Sequence, residues 1–473
     1  MPLKIIKSIT QQSLICYISI ILLGCSFTPT YRSPELPVAK KYPGQICAHE
    51  KCTNAKQFGR QCFFTAPALQ QHIKLALENN RDLRKAIQRI DEARALYEHQ
   101  RADLFPTLNA NALGFRFRSP GGILPALGGP FVLSAYLAAV SVVSWEVDFW
   151  GRLRSLKDAA LQNYLATEEA EQAVIISLIG QVANAYLMEL ELNELVNIAL
   201  KTVETRQKSY SLMKRRFEEG YSSKYELIQA ETLLQDTKSD LTTLQRKREL
   251  NWNALTLLVG TQISMNKGTL SQIEPYFIKG ICPGLPSELL YNRPDIRAAE
   301  HGLKAANANI GAAKAAFFPK ISLTGAYGSA SPELNKLFRS GSNFWAYAPD
   351  LSVPIFDWGR NKSDLGLARA RQNLAVTEYE HTIQVAFREV ADALVNRAWL
   401  AKQIIIQKRA LAAQKDRAYL AWRRYEFGTS PYLEVLDAER DTFSAEQALV
   451  QTRFSFLASG INLYTALGGR NCS

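Results

Sequence analysis

The chain has 473 residues, with 56 Lys and Arg against 44 Asp and Glu, a formal charge of +12 and 47% hydrophobic residues. That apolar content is ordinary for a folded protein and argues against a disordered one. The basic residues lie along helical patterns with acids between them, which argues for solvated faces and against nucleic-acid binding. No apolar run of 18 residues follows the N-terminus, so no helical membrane span is expected.

Residues 1–24 carry Lys4 and Lys7, an apolar stretch from Leu14 to Leu23, and then Gly24 before Cys25. This pattern reads as a secretory signal ending in a lipobox, with Cys25 becoming a lipidated N-terminus. Ser26, rather than Asp, after the cysteine fits release to the outer membrane of a Gram-negative cell. Residues 25–66 are rich in Pro, polar residues and Cys, including Tyr31-Arg32-Ser33-Pro34, and read as an extended tether. Outside the signal and Cys25, the cysteines are Cys47, Cys52, Cys62, Cys282 and Cys472, an odd number that leaves at least one thiol unpaired. Cys47, His49, Cys52 and Cys62 match no zinc spacing, so no metal or other cofactor is expected.

From residue 67 the chain reads as two copies of one unit. Trp150-Gly151-Arg152 recurs as Trp358-Gly359-Arg360, and Arg215-Arg216-Phe217-Glu218-Glu219-Gly220 as Arg423-Arg424-Tyr425-Glu426-Phe427-Gly428, both at an offset of 208. Ala230-Glu231 and Ala438-Glu439, and Gly260 and Gly468, keep that offset. Asp82 with Asp295, and Phe105-Pro106 with Phe318-Pro319, stand 213 apart. An offset held over so long a stretch marks a tandem duplication. The first repeat spans 67–262, a linker 263–286, the second repeat 287–469 and a tail 470–473.

Each repeat begins with a helical run, the first from about Pro67 to Asp103, stopped by Phe-Pro. A β-hairpin follows, at about 107–147 in the first copy and 320–356 in the second. Leu108, Ala110 and Ala112 alternate with polar residues before the apolar phase moves to Phe115 and Phe117. In the second copy Ile321, Leu323, Gly325 and Tyr327 alternate, and Trp345, Tyr347, Leu351, Val353 and Ile355 share a face. Such strands are long enough to cross a bilayer when tilted, yet four cannot close a barrel without leaving backbone groups unpaired in lipid. The strands are therefore expected to be shared among subunits.

Gly151 to Glu219 and Gly359 to Phe427 contain no proline, and each could extend about 100 Å as unbroken helix. Gly428 suits the left-handed end of the second run; Thr429 or Ser430 can then cap the next helix, with Pro431 at its first position. That helix carries two seams. Leu436, Phe443, Val450, Leu457 and Tyr464 recur every seven residues, while Val435, Leu449, Phe456 and Leu463 with small residues such as Ala438 form the other. A helix with two apolar flanks has a neighbour on each side, like a stave in a tube. Glu434, Asp437 and Asp441 share a stripe between the seams.

The lipobox with Tyr31-Arg32-Ser33-Pro34, the Phe-Pro strand entries, the two Trp-Gly-Arg motifs, the doubled tips, Leu436-Asp437-Ala438 and the closing Leu463-Tyr464-Thr465-Ala466-Leu467-Gly468-Gly469 together resemble the TolC-like outer membrane factors, in the lipoprotein branch typified by OprM. The resemblance implies a mainly α fold with β: a homotrimer whose subunits each give four strands to one outer membrane β-barrel, continued by a long periplasmic α-helical barrel. It also implies a passive exit duct with two partners, a periplasmic adaptor and an inner membrane transporter, the latter of the RND type, and with no enzymatic activity. By the same resemblance Asp437, Glu434 and Tyr425 lie at a periplasmic gate, and Gly220, Tyr221, Gly428 and Thr429 at tips that meet the adaptor. Ser430 stands where some relatives place a locking arginine. The rival reading is a lipid-anchored coiled-coil scaffold or adaptor without a pore. An enzyme is disfavoured, since His49, His72, His99, His301 and His381 form no ligand or triad spacing.

Overall fold

A computed structural model describes residues 26–39, 42, 53–54, 63–120, 131–264, 281–282 and 289–469. Cys25 and the signal lie outside the described residues, as do Cys47, His49, Cys52, Cys62 and Cys472. The elements, in chain order, are β1 Thr53–Asn54, α1 Pro67–Asn79, α2 Arg81–Ala102, β2 Leu108–Ser119, β3 Phe131–Glu146, α3 Arg152–Glu218 and α4 Lys224–Val259 in the first half. They continue with β4 Ile281–Cys282, α5 Leu289–Asn292, α6 Pro294–Ala315, β5 Lys320–Ser331, β6 Asn343–Ser352, α7 Arg360–Glu426 and α8 Tyr432–Ala466. Both α3 and α7 are 67 residues long, as the proline-free runs predict.

The chain divides into two compact units, each drawing on both repeats. The first comprises Met1–Pro34, Arg89–Thr167 and Ala298–Tyr379, and holds an antiparallel sheet of order β2-β3-β5-β6. β2 pairs with β3 over twelve consecutive positions, so the change of apolar phase after Ala112 occurs without a bulge; the irregularity falls instead in β3, between Val142 and Trp145. β6 ends at Ser352, which leaves Val353 and Ile355 beyond the strand. Leu108, Phe115, Tyr327, Trp345, Tyr347 and Leu351 are exposed on the sheet, and β2 and β6 have no neighbour on their outer edges among the described residues. The start of the tether, up to Pro34, packs on this unit. Phe27 stacks on Phe318 at 4.6 Å and lies 6.3 Å from Trp150, Thr28 bonds Ser155 at 3.0 Å, and Tyr31 donates to Glu300 at 3.2 Å.

The second unit comprises Glu35–Gln88, Glu168–Arg297 and Glu380–Ser473. Its main core joins Leu69, Ile73 and Ala76 of α1 to Ile179, Val182, Tyr186, Leu187 and Leu190 of α3 and to Phe443, Val450, Leu457 and Tyr464 of α8. One 18-residue window of α3 reaches a mean hydropathy of 1.5, which corrects the expectation of no such run; half of it is buried, the condition of a core helix. The two seams of α8 face different helices. Toward α3, Arg453 pairs with Glu194 at 3.1 Å beside the first seam. Toward α7, Lys415 pairs with Glu446 at 2.8 Å, and Arg397 lies 4.8 Å from the Phe456 ring of the second.

The helical run expected from Pro67 to Asp103 is broken at Asn80, whose backbone is extended (φ −62°, ψ 130°). Asn80 accepts from the amides of Asp82 and Leu83 at 2.8 and 2.9 Å, which caps α2, and donates to Leu258 O at 2.8 Å. At the matching break in the second copy Arg293 donates to Ala466 O at 2.9 Å, and Ala466 lies 208 residues after Leu258. The duplication thus preserved a bond from helix break to returning helix while changing its chemistry. Arg293 adds ion pairs to Asp295 at 2.6 Å and Glu389 at 2.7 Å. Asn80→Ala removes a cap and takes the amide donor from the half-buried Leu258 carbonyl, and is expected to lower stability by about 2 kcal/mol. Thermal unfolding followed by circular dichroism checks this; a loss under about 0.5 kcal/mol would refute the capping role.

Candidate functional site

The candidate entrance is built from two helical turns. At the first, Gly220 has φ 79°, Gly220 N donates to Phe217 O at 3.1 Å and Tyr221 N to Arg216 O at 2.7 Å. At the second, Gly428 has φ 70°, Gly428 N donates to Tyr425 O and Thr429 N to Arg424 O, both at 2.9 Å. Both glycines close a helix in the left-handed conformation that glycine adopts with least strain. Tyr221 and Phe427 are exposed at these turns.

The starts of the returning helices differ. Ser223 caps α4 in a reciprocal capping box, its side chain accepting from Glu226 N at 3.2 Å while Glu226 accepts from Ser223 N at 3.0 Å. The second turn departs from the sequence expectation. α8 starts at Tyr432 with Pro431 as its N-cap, and neither Thr429 nor Ser430 caps it. The Thr429 hydroxyl instead donates backward to Arg424 O at 2.9 Å. Proline has no N–H, so Glu434, the counterpart of Glu226, has no backbone donor at the cap to bind. It pairs with Arg424 across the turn at 2.8 Å.

The acidic stripe is not bare. Asp437 pairs with Arg440 at 3.2 Å, and Asp441 pairs with Arg417 at 2.7 Å and Arg440 at 3.2 Å. Arg417 and Arg440 hold the Asp441 carboxyl below the usual carboxylate range. Each of these three acids is therefore matched by an arginine of its own hairpin. Tyr425 belongs to a different set: Arg216 of α3 donates to its hydroxyl and lies 5.3 Å from its ring, and Tyr432 is 4.9 Å away. Its first-copy counterpart, Phe217, has no hydroxyl to offer. Beneath these polar groups, Met213, Ala230, Ala421, Tyr432, Val435 and Ala438 form a small apolar core that draws on both hairpins.

The structure brings Glu434, Asp437 and Tyr425 to one end of the second hairpin, with Gly428 and Thr429 in the turn beside them. Sequence reasoning noted Arg423-Arg424 only as a repeat marker and missed Arg216, Arg417, Arg424 and Arg440 as partners. An arginine one turn before a helix ends, opposite an acid one turn after the next begins, was the available signal.

The chain matches the family profile for outer membrane efflux proteins over residues 72–261 and 285–469. It belongs to the outer membrane efflux protein family. It is 41% identical over 452 residues to the toluene efflux pump outer membrane protein TtgC of Pseudomonas putida, covering 95% of this chain and 93% of that one. It is 40% identical over 456 residues to the outer membrane protein OprJ of Pseudomonas aeruginosa, covering 96% and 94%. The open state of the Neisseria gonorrhoeae MtrE outer membrane channel superposes with a TM-score of 0.86 at 38% identity, covering 95% of this chain and 100% of that one. A CusC structure gives 0.84 at 38% identity, covering 94% and 100%. The family member described here is thus an outer membrane efflux channel component, a transport duct rather than an enzyme, and the pore-free scaffold reading is set aside.

Proposed function

We propose that three copies of this chain form the exit duct of a tripartite pump, receiving cargo from an RND-type inner membrane transporter through a periplasmic adaptor. The outer edges of β2 and β6, unpaired among the described residues, carry this reading. A four-stranded sheet with exposed aromatic and aliphatic residues satisfies its backbone in lipid only when further copies supply strands at both edges. Exposed apolar residues on the long helices support it too, Leu250 and Leu257 on α4 and Trp399 and Ile406 on α7. In sequence a lipid on Cys25 would precede by two residues Phe27, whose ring stacks on Phe318. The names of the P. putida relatives favour small apolar molecules as cargo.

In this reading the hairpin ends are the periplasmic entrance, with Glu434, Asp437 and Tyr425 at the gate and Gly220, Tyr221, Gly428 and Thr429 presented to the adaptor. Heat-sensitive oligomer migration and single-channel conductance in planar bilayers test the duct: a monomer without conductance overturns it. In the same bilayers, Glu434→Ala with Asp437→Ala removes two carboxylates, leaving Arg424 without its partner and Arg440 with only Asp441, which it shares with Arg417. Cation selectivity and block by multivalent cations should both fall, because like charge repels the permeating ion. Unchanged selectivity and block would remove these residues from the gate.

A further inference from the structure

Leu192, Ala199, Arg206 and Met213 follow one another at intervals of seven on α3, and all are buried. Arg206 is therefore a charged residue in an apolar seam, 3% exposed. Its Nη1 donates to Leu233 O at 3.0 Å and to the Thr237 hydroxyl, both on α4. On the opposite side its guanidinium lies 5.3 Å from the Phe443 ring of α8. Nε and Nη2 have no hydrogen-bond partner among the described residues, and neither has Oε2 of Glu439, a buried atom of α8. Asp236 and Asp240 of α4 and Glu439 and Arg440 of α8 are the other charged groups that act on Arg206. Burial pushes the Glu439 carboxyl up while Arg206 pulls it back.

The duplication isolates what is particular here. Position 414, 208 residues after Arg206, is Gln, and Glu231, the counterpart of Glu439, is exposed. Arg206 and Glu439 thus have no equivalent pair 208 residues away, and they face each other where the first hairpin meets the second, the same junction that the Arg453–Glu194 pair spans further along. An apolar residue of similar volume would pack this seam with less desolvation, and the best-attested use of a buried charge in a helical seam is to fix register or to act as a switch. The acids Glu434, Asp437 and Asp441 bond within their own hairpin, and of the gate residues only Tyr425, through Arg216, is tied to the first hairpin.

We propose that Arg206 is a positioning residue for the entrance: bonded to α4 and facing Glu439 and Phe443, it fixes α8 against the first hairpin and limits how far the tips separate. This rests on the reading of the chain as a duct entered at its hairpin ends. Lateral movement of the second hairpin would strip the guanidinium of its ring and its facing carboxylate while α4 retained it.

Planar-bilayer conductance of purified wild type, Arg206→Met, Arg206→Lys and Glu439→Gln, paired with the heat stability of each oligomer, tests this. Arg206→Met should raise mean conductance at least threefold at undiminished heat stability, and Arg206→Lys should stay within twofold of wild type. Glu439→Gln, which keeps shape and removes charge, should raise conductance at least twofold and decides the question should Arg206→Met not assemble. Wild-type conductance in both charge-removing variants overturns the proposal, as does a rise that tracks loss of heat stability. A wild type that conducts nothing overturns the duct reading and this proposal with it; a conducting wild type with unchanged variants overturns this proposal alone.

Discussion

Gly468→Ala is expected to destabilise the chain by roughly 2–5 kcal/mol, combining a left-handed backbone with a backbone clash. Gly468 has φ 89°, and a Cβ there would stand 2.4 Å from Asn292 O and 2.8 Å from Asn292 C. Those atoms belong to the turn that Arg293 pins to the end of α8, so they cannot easily yield. The same should hold at Gly260, with φ 75° and a Cβ 2.6 Å from Asn79 O. Gly428 supplies the control. Its φ is 70°, but a Cβ there would meet nothing within 4 Å. Gly428→Ala should thus show only the left-handed cost of about 1–2 kcal/mol, partly offset by a stiffer unfolded chain. Thermal unfolding of the three variants in detergent separates the two causes. Equal losses for Gly428→Ala and Gly468→Ala would mean that the close approach of the turn contributes nothing.

The second large effect concerns pH. Glu191 is 7% exposed within the main core of the second unit, and burial, partly countered by Lys247, pushes its carboxyl up to about 7 from an ordinary value of 4.5. Burial also raises Glu189, with Asn251 and Arg248 pulling it back. A raised carboxyl binds its proton more tightly in the folded chain, so its favourable contribution is complete below about pH 4.5 and is lost as pH rises through about 7. At about 1.4 kcal/mol per unit, the loss approaches roughly 3 kcal/mol above neutrality. Glu191→Gln keeps the shape and abolishes the titration. The variant should match wild type at acid pH and exceed it by roughly 2–3 kcal/mol on the alkaline side. A variant whose unfolding temperature follows wild type across that range would show that Glu191 is not the titrating group.

Much of the fold was written in long-period features. Proline-free runs marked α3 and α7, seven-residue spacing marked both flanks of α8, and matched motifs at 208 gave the duplication; each signal is summed over many residues and survives local exceptions. The losses were local or came from tertiary context. Nothing in Leu77-Glu78-Asn79-Asn80-Arg81 outweighs helical periodicity until Leu258 O is present to receive the Asn80 amide. Thr429 and Ser430 are good capping residues by type, yet the Thr429 hydroxyl found a nearer carbonyl behind it. The hydropathic window in α3 escaped notice because Gln181 and Asn184 interrupt it without charge. At the candidate entrance the acids were legible as a stripe, but their arginines sit on the other helix or in another turn, and pairing across a hairpin depends on its register. Arg206 was hidden most completely: at a seam position an arginine looks like an interruption, and only its surroundings reveal a brace.

The bare edges of β2 and β6 bear on how the channel is made. In the proposed three-copy duct a single chain cannot enter the hydrocarbon with both edges unpaired, so insertion and subunit association would be one event of higher kinetic order in chain concentration. Channel number should then rise more steeply than in proportion to synthesis. One subunit with a damaged edge strand would spoil every ring it joins, so at equal expression a defective copy is expected to behave as a dominant poison.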